Sequence, residues 1–141
     1  MGGNTISFAK YFNKVNAVEI IDMHCDILKN NLKQYKLLNK VSIYCSDYFD
    51  VMRDLKQDVI FFDPPWGGKD YLKHKELDLF LNNINIVDIT NELYEKTKFI
   101  AIKVPKNFNL NAFILNSKFL NIDVIKIKTH KLKYYLLILS K

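Results

Sequence analysis

Each of the three prolines in this chain follows a run of apolar residues, and all four glycines fall in two adjacent pairs. This confinement constrains the fold more than any other feature of the sequence. The prolines are Pro64, Pro65 and Pro105, and the glycines are Gly2-Gly3 and Gly67-Gly68. Ordinary surface turns would have scattered them. Glycine takes positive φ or lets a backbone come close to a ligand, and proline stiffens a loop, so these positions mark a few shaped loops at strand ends. In open α/β sheets that edge is where ligands bind.

Between the loops, apolar runs alternate with helix-length amphipathic stretches. Strands are expected over residues 15–21 and 41–45, with a helix over 25–35 between them carrying Ile27, Leu28, Leu32 and Tyr35 at helical spacing. The clearest strand is 59–62, a continuous apolar run ending at Asp63-Pro64-Pro65, as suits a parallel strand covered on both faces. A helix over 86–94 and a strand over 99–103 follow. Residues 122–128 alternate apolar and basic side chains, and 133–139 return after a turn at His130-Lys131, so the two read as a closing antiparallel hairpin. The alternation implies an α/β domain with a mostly parallel sheet.

With 141 residues and 49% hydrophobic content, one domain with a substantial core is expected, spanning 1–141. No apolar run reaches the roughly eighteen residues of a membrane span, and no basic-then-apolar leader opens the chain, so a soluble, intracellular protein is expected. Cys25 and Cys45 have no third or fourth ligand-type neighbour, which argues against a disulfide framework or a zinc site and for core packing of both. The net charge of +6 is uneven: residues 96–141 hold ten lysines against Asp123 alone, whereas 1–95 hold eleven basic and fourteen acidic residues. A basic C-terminal third suits a polyanionic partner. An A/T-rich codon bias would also fill the chain with lysine, asparagine and isoleucine. Lys103, Lys106, Lys126, Lys128, Lys131 and Lys133 are the residues expected to track a phosphate backbone.

Asp63-Pro64-Pro65-Trp66 carries the chemistry. An exocyclic amine on a nucleobase is a poor nucleophile until its lone pair is freed from the ring. A carboxylate or a carbonyl accepting its N–H bonds does that, a Pro-Pro turn holds the acceptors still, and an indole gives a flat face for the base, worth roughly 1–3 kcal/mol. The same four residues could also be a strand-ending turn beside a core tryptophan. Gly67-Gly68 and Tyr71 tilt the reading toward a site, since a core tryptophan needs no flanking glycines. Glu19 ends a strand about sixteen residues after Gly3, near the ~20-residue gap from a glycine loop to a ribose-binding carboxylate. Taken alone, Glu19 reads equally as an exposed charge and Asp47 as a helix N-cap.

Asp63-Pro64-Pro65-Trp66-Gly67-Gly68 with Asp70-Tyr71 resembles the catalytic motif of the trimethylguanosine synthases, cap-specific guanine-N2 methyltransferases with the class I Rossmann-like fold. Gly2-Gly3-Asn4-Thr5-Ile6 with Phe8-Ala9 is similar to the second half of that family's cofactor loop and the start of its first core helix. Ala17-Val18-Glu19 matches the strand end whose acid binds the cofactor ribose, Cys45-Ser46-Asp47 resembles the Cys-Gly-Asp segment beside the adenine, and Pro105-Lys106-Asn107 is similar to the Pro-Arg-Asn segment after the fifth strand. The resemblance implies methyl transfer from S-adenosyl-L-methionine to guanine N2 of a 7-methylguanosine 5' cap on RNA. It implies a catalytic set of Asp63, Pro64, Pro65 and Trp66. The implied cofactor contacts are Gly2, Gly3, Asn4, Thr5, Glu19, Asp47, Tyr48 and Asp63, and the implied substrate contacts are Trp66, Gly67, Gly68, Tyr71, Lys106 and Asn107, with no metal. A monomer is expected, nuclear if eukaryotic.

Three departures from the family pattern bear on this. Asp63 stands where many members have serine, and aspartate there is typical of amine-directed methyltransferases more widely. Lys106 replaces an arginine and loses its bidentate geometry toward phosphate. The chain opens at the second half of the glycine loop, so a domain without its first strand and upstream helices is expected. Methylation of ribosomal guanine N2 or adenine N6, and a non-catalytic RNA-binding remnant, are the competing readings.

Overall fold

The structure, a computed structural model, describes residues 2–130 and 132–141. The chain divides into two compact units, Met1–Leu55 and Lys56–Lys141.

In the first unit, helix α1 (Gly3–Tyr11) leads to strand β1 (Val15–Glu19), helix α2 (Asp22–Gln34), a 3-10 turn (Leu38–Lys40), strand β2 (Val41–Cys45) and the short helix α3 (Tyr48–Val51). β1 and β2 pair in parallel, in register from Val15 opposite Val41 to Glu19 opposite Cys45. The helix between them supplies the crossover that a parallel pair requires. It buries Cys25, Leu28 and Leu32, spaced three and four residues apart on one stripe. Ile27 and Tyr35, expected on that stripe, are exposed instead: Ile27 projects more than a third of a turn from its centre, and Tyr35 lies just past the end of the helix. Leu28 and Leu32 pack with Ala9, Ala17 and Val41 into the core of this unit, flanked by Ile6, Val15, Leu37, Leu38 and Ile43. Leu32 is fully buried, and truncating such a side chain to alanine costs about 2–5 kcal/mol.

The cysteines depart from expectation. Cys25 is buried, but Cys45 is exposed at the end of β2, and the two sulfurs are joined as a disulfide with Cα atoms 6.1 Å apart. Sequence separation hides this proximity: the turn of helix carrying Cys25 folds back over the strand end carrying Cys45.

The second unit holds a four-stranded sheet built from β3 (Val59–Phe62), β6 (Phe99–Pro105), β7 (Asn121–Lys128) and β8 (Lys133–Ser140), in the order β3-β6-β8-β7. β3 and β6 run parallel, while β8 is antiparallel to both of its neighbours. The expected closing hairpin is therefore present. Its turn is tied by Thr129 N to Leu132 O at 2.8 Å and by Leu132 N to Thr129 Oγ1 at 2.9 Å; Lys131 lies outside the described residues.

Register places Ile60 and Phe62, Ile100, Ile102 and Val104, and Leu137 and Leu139 on one face, and all seven are buried. Phe61, Ala101 and Lys103 alternate onto the other, less buried face. Helices α4 (Ile86–Glu92) and α5 (Leu110–Asn116) add Ile86, Val87, Ile89 and Phe113 to the buried set. Both carry asparagine caps: Asn85 Oδ1 accepts from Val87 N at 3.1 Å, and Asn109 Oδ1 from Ala112 N at 3.3 Å. A small hairpin, β4 (Phe80–Leu81) and β5 (Ile84–Asn85), turns through Asn82 and Asn83 with φ of 47° and 63°. This is the asparagine-tolerated left-handed pair of a two-residue hairpin loop.

Candidate functional site

The residues marked out by the sequence fall into two sets, one in each unit. In the first unit, Glu19 closes β1 and Asp47 follows β2 by two residues, so two carboxylates stand at the C-terminal ends of neighbouring parallel strands. Ser46 N donates to Glu19 O at 3.1 Å, which ties the two strand ends together. Glu19 Oε1 accepts from Ile21 N at 3.0 Å and lies 3.6 Å from His24 Nδ1. Asp47 Oδ1 accepts from Phe49 N at 3.0 Å, capping the helix that begins at Tyr48. Each carboxylate thus spends one oxygen shaping its own loop. Between them, the Ser46 hydroxyl is buried without a partner among the described residues.

The glycine pair opens α1. Gly2 sits just before the helix at φ 85°, where an added Cβ would strike the Leu28 side chain, so both conformation and packing exclude a larger residue. Gly3, Asn4 and Thr5 form the first turn of α1, whose opening amides receive no side-chain cap.

In the second unit, Asp63 follows the last residue of β3, and Lys103 lies opposite it on β6, one step past the paired Phe62 and Ile102. Lys103 Nζ is 3.3 Å from Asp63 Oδ2, 5.5 Å from the centre of the Trp66 ring and 5.2 Å from that of Tyr134. Trp66 Nε1 donates to Lys103 O at 3.4 Å, and its ring meets Tyr71 edge-on at 5.3 Å between centroids. Trp66 is therefore a half-exposed ring at a strand end and not a core tryptophan. Pro64 is buried and Pro65 exposed, which seats one proline and leaves the other at the surface.

Gly67 and Gly68 have φ of 88° and 75° with open space where a side chain would be, so the backbone turn alone demands glycine there. They lead into the 3-10 turn Gly68–Lys73 that carries Tyr71. Asn107 pins that turn: its Nδ2 donates to Tyr71 O at 2.8 Å and to His74 O at 2.9 Å. Its Oδ1 is buried without a partner among the described residues. Lys106 is exposed.

Asp63, Trp66, Tyr71 and Asn107 are thus brought into one contiguous patch with Gly67 and Gly68, and Glu19 and Asp47 into another. Lys103 departs from expectation. Its ammonium faces Asp63 and two aromatic rings, where the basic pattern of the C-terminal third points to a phosphate backbone. Tyr134 carries no signal of its own in the sequence. A lysine at the alternating position of an apolar run marks Lys103 as turned away from the core, but its partners come from the loop after β3 and from β8 and leave no sign in the sequence.

The strand arrangement and these strand-end loops define the class I fold of S-adenosylmethionine-dependent methyltransferases. The human methyltransferase 10 domain containing protein superposes over 98% of this chain and 65% of its own, at a TM-score of 0.71 and 13% identity. TrmK of M. capricolum, in complex with S-adenosyl-homocysteine, does so over 96% and 56%, at 0.67 and 15%. The RNA cap guanine-N2 methyltransferase family matches residues 1–139, and the chain belongs to that family. An uncharacterized protein of Acanthamoeba polyphaga mimivirus is 36% identical over 118 residues, 80% of this chain and 46% of its own length. The trimethylguanosine synthase of Saccharomyces cerevisiae is 26% identical over 117 residues, 78% of this chain and 37% of its own. The chain spans less than half the length of these curated relatives.

Proposed function

We propose that this protein methylates guanine N2 of a 7-methylguanosine-capped RNA, with S-adenosyl-L-methionine as the methyl donor. The observation that carries the reading is the Asp63–Trp66 turn: a carboxylate and a half-exposed indole at the end of a parallel strand, in a chain of the cap guanine-N2 family. The cofactor supplies an electrophilic methyl group on a sulfonium.

The residues at the ends of β1 and β2 suit such a nucleoside. The Glu19 carboxylate offers an acceptor for ribose hydroxyls, the Asp47 carboxylate an acceptor for an adenine amine, and the partnerless Ser46 hydroxyl lies buried beside them. Gly2, Gly3, Asn4 and Thr5 present the uncapped opening amides of α1 to the polar end of the ligand, where a helix N-terminus favours a carboxylate. Tyr48 adds a ring beside Asp47.

On the acceptor side, the guanine stacks on Trp66. The Asp63 carboxylate and the carbonyls of the Pro64-Pro65 turn accept the N–H bonds of its amine, which turns the nitrogen lone pair out of the ring. Tyr71, Gly67 and Gly68 border the stacking face; Lys106, exposed after β6, is the candidate cation for the cap phosphates, and Asn107 holds the turn that carries Tyr71.

The test is methyl transfer from labelled S-adenosyl-L-methionine to matched RNAs bearing a 7-methylguanosine cap or a plain triphosphate, with the labelled nucleoside identified by mass. Label in N2-methylated cap guanosine, absent from the uncapped RNA, is expected. Label in internal guanine or adenine would replace the cap by another amine acceptor, and no cofactor binding by calorimetry would favour an RNA-binding module.

A further inference from the structure

The strongest feature left unused by this reading is the lysine in the acceptor patch. Three groups converge on one ammonium: the Asp63 carboxylate at 3.3 Å, the Trp66 ring at 5.5 Å and the Tyr134 ring at 5.2 Å. Both ring distances fall within the roughly 6 Å reach of a cation–π contact. The ion pair is partly shielded, with side-chain exposures of 25% for Lys103 and 35% for Asp63. The backbone of the same residue accepts from Trp66 Nε1.

Lys103 therefore touches the indole twice and the carboxylate once, from a strand. Asp63 and Trp66 themselves lie on a loop. A group held by a strand and clasping both halves of a loop-borne site is placed to set their mutual geometry.

We propose that Lys103 is a positioning residue that locks the Asp63 carboxylate and the Trp66 ring into one acceptor unit, with Tyr134 as the wall that keeps its ammonium in place. The proposal rests on the acceptor role given above to Asp63 and Trp66. Lys103 holds Asp63 by one oxygen and leaves the stacking ring tethered through its N–H, so the amine meets an acceptor whose orientation is set beforehand. Misplacement of such a group costs up to about 100-fold in rate.

The experiment uses the full chain with Lys103→Met and Lys103→Arg. Trp66 is the only tryptophan, so its emission reports this patch without any assay of transfer. For Lys103→Met, the expected result is a changed Trp66 emission, S-adenosyl-L-methionine affinity within about twofold of wild type, an unchanged far-ultraviolet circular dichroism spectrum, and kcat on capped RNA lowered about tenfold with KM altered less. Lys103→Arg, which keeps the charge, the carboxylate contact and the ring contacts, should restore most of kcat and the wild-type emission.

Unchanged kcat and emission in Lys103→Met would overturn the proposal. So would a rise in KM alone that salt reproduces, which would make Lys103 a phosphate contact, or a loss of circular dichroism that Lys103→Arg fails to recover. If wild type transfers no methyl to capped RNA, the acceptor reading fails separately. The Lys103 proposal is then decided by quenching of Trp66 with 7-methylguanosine triphosphate: weaker in Lys103→Met and restored in Lys103→Arg if it holds, equal in all three proteins if it does not.

Discussion

The two units shape their candidate residues by opposite means. In residues 1–55 each carboxylate accepts from its own loop: Glu19 from the amide of Ile21, and Asp47 from the amide of Phe49, each two residues away. In residues 56–141 the partners are distant. Asp63 meets Lys103 forty residues on, Trp66 reaches the backbone of the same lysine, and Asn107 closes on Tyr71 across thirty-six. A carboxylate shaped by its own loop holds its geometry wherever that loop is intact. A carboxylate clasped from a neighbouring strand holds it only while the sheet is paired.

The contrast breaks most sharply at Asp63 and Trp66. Asp63→Ala is expected to lower methyl transfer about 100-fold or more, the scale of a lost acceptor for the amine's N–H, and Trp66→Ala to abolish most of it through loss of a base stack worth roughly 1–3 kcal/mol, each with S-adenosyl-L-methionine affinity by calorimetry within a few fold. Trp66→Phe keeps part of the activity, because a smaller ring still stacks. Equal loss of cofactor binding in both alanine variants would mean the two units do not divide the labour in this way.

The reciprocal change is next in size. Glu19→Ala should weaken S-adenosyl-L-methionine binding about tenfold, as expected for removing one or two charge-assisted hydrogen bonds, and leave Trp66 emission unchanged. A shift in that emission would show that the local and distant sets are coupled.

The smallest effect is expected from the basic hairpin. Lys128 and Lys133 are paired across β7 and β8, with Lys126 opposite Tyr135, and all three lysines are exposed. Replacing all three with glutamine should weaken capped-RNA binding only a few fold at moderate salt. The log–log salt slope should become shallower by about 0.7 for each phosphate that is no longer neutralised. An unchanged slope would reduce the lysines to solvated surface.

Much of this is legible in the sequence, for reasons that can be named. The bounds of β2 and β3 are those read from the sequence, because each is a short stretch of β-branched and aromatic residues bounded by polar or turn-forming ones. Asp63 falls at a strand end because Pro64-Pro65 cannot continue a ladder; β1 stops at Glu19, short of the expected 21, where the Ile21 amide turns back to the Glu19 carboxylate. The helix α5 and the β4–β5 hairpin are not legible: seven residues of helix leave little periodicity, and two-residue strands leave none. The asparagine pair at 82 and 83 is the available sign of the hairpin. The stripe of α2 reads wrongly around Ile27 and Tyr35 because Met23 and Ile27 widen the apolar face beyond what the fold buries, and Tyr35 lies just past the end of the helix. Lys103 cannot be placed from spacing alone, since its partners come from β3, the following turn and β8.

The four-stranded sheet ends differently on its two sides. β7, at one end, carries Asp123, Lys126 and Lys128 along its length; β3, at the other, is Val-Ile-Phe-Phe without a charge. Charged side chains, lysine above all, along an edge are how natural sheets discourage pairing with another copy. Replacing Lys126 and Lys128 with valine should therefore hasten clumping on heating, read by light scattering, while leaving Asp63 and Trp66 in place.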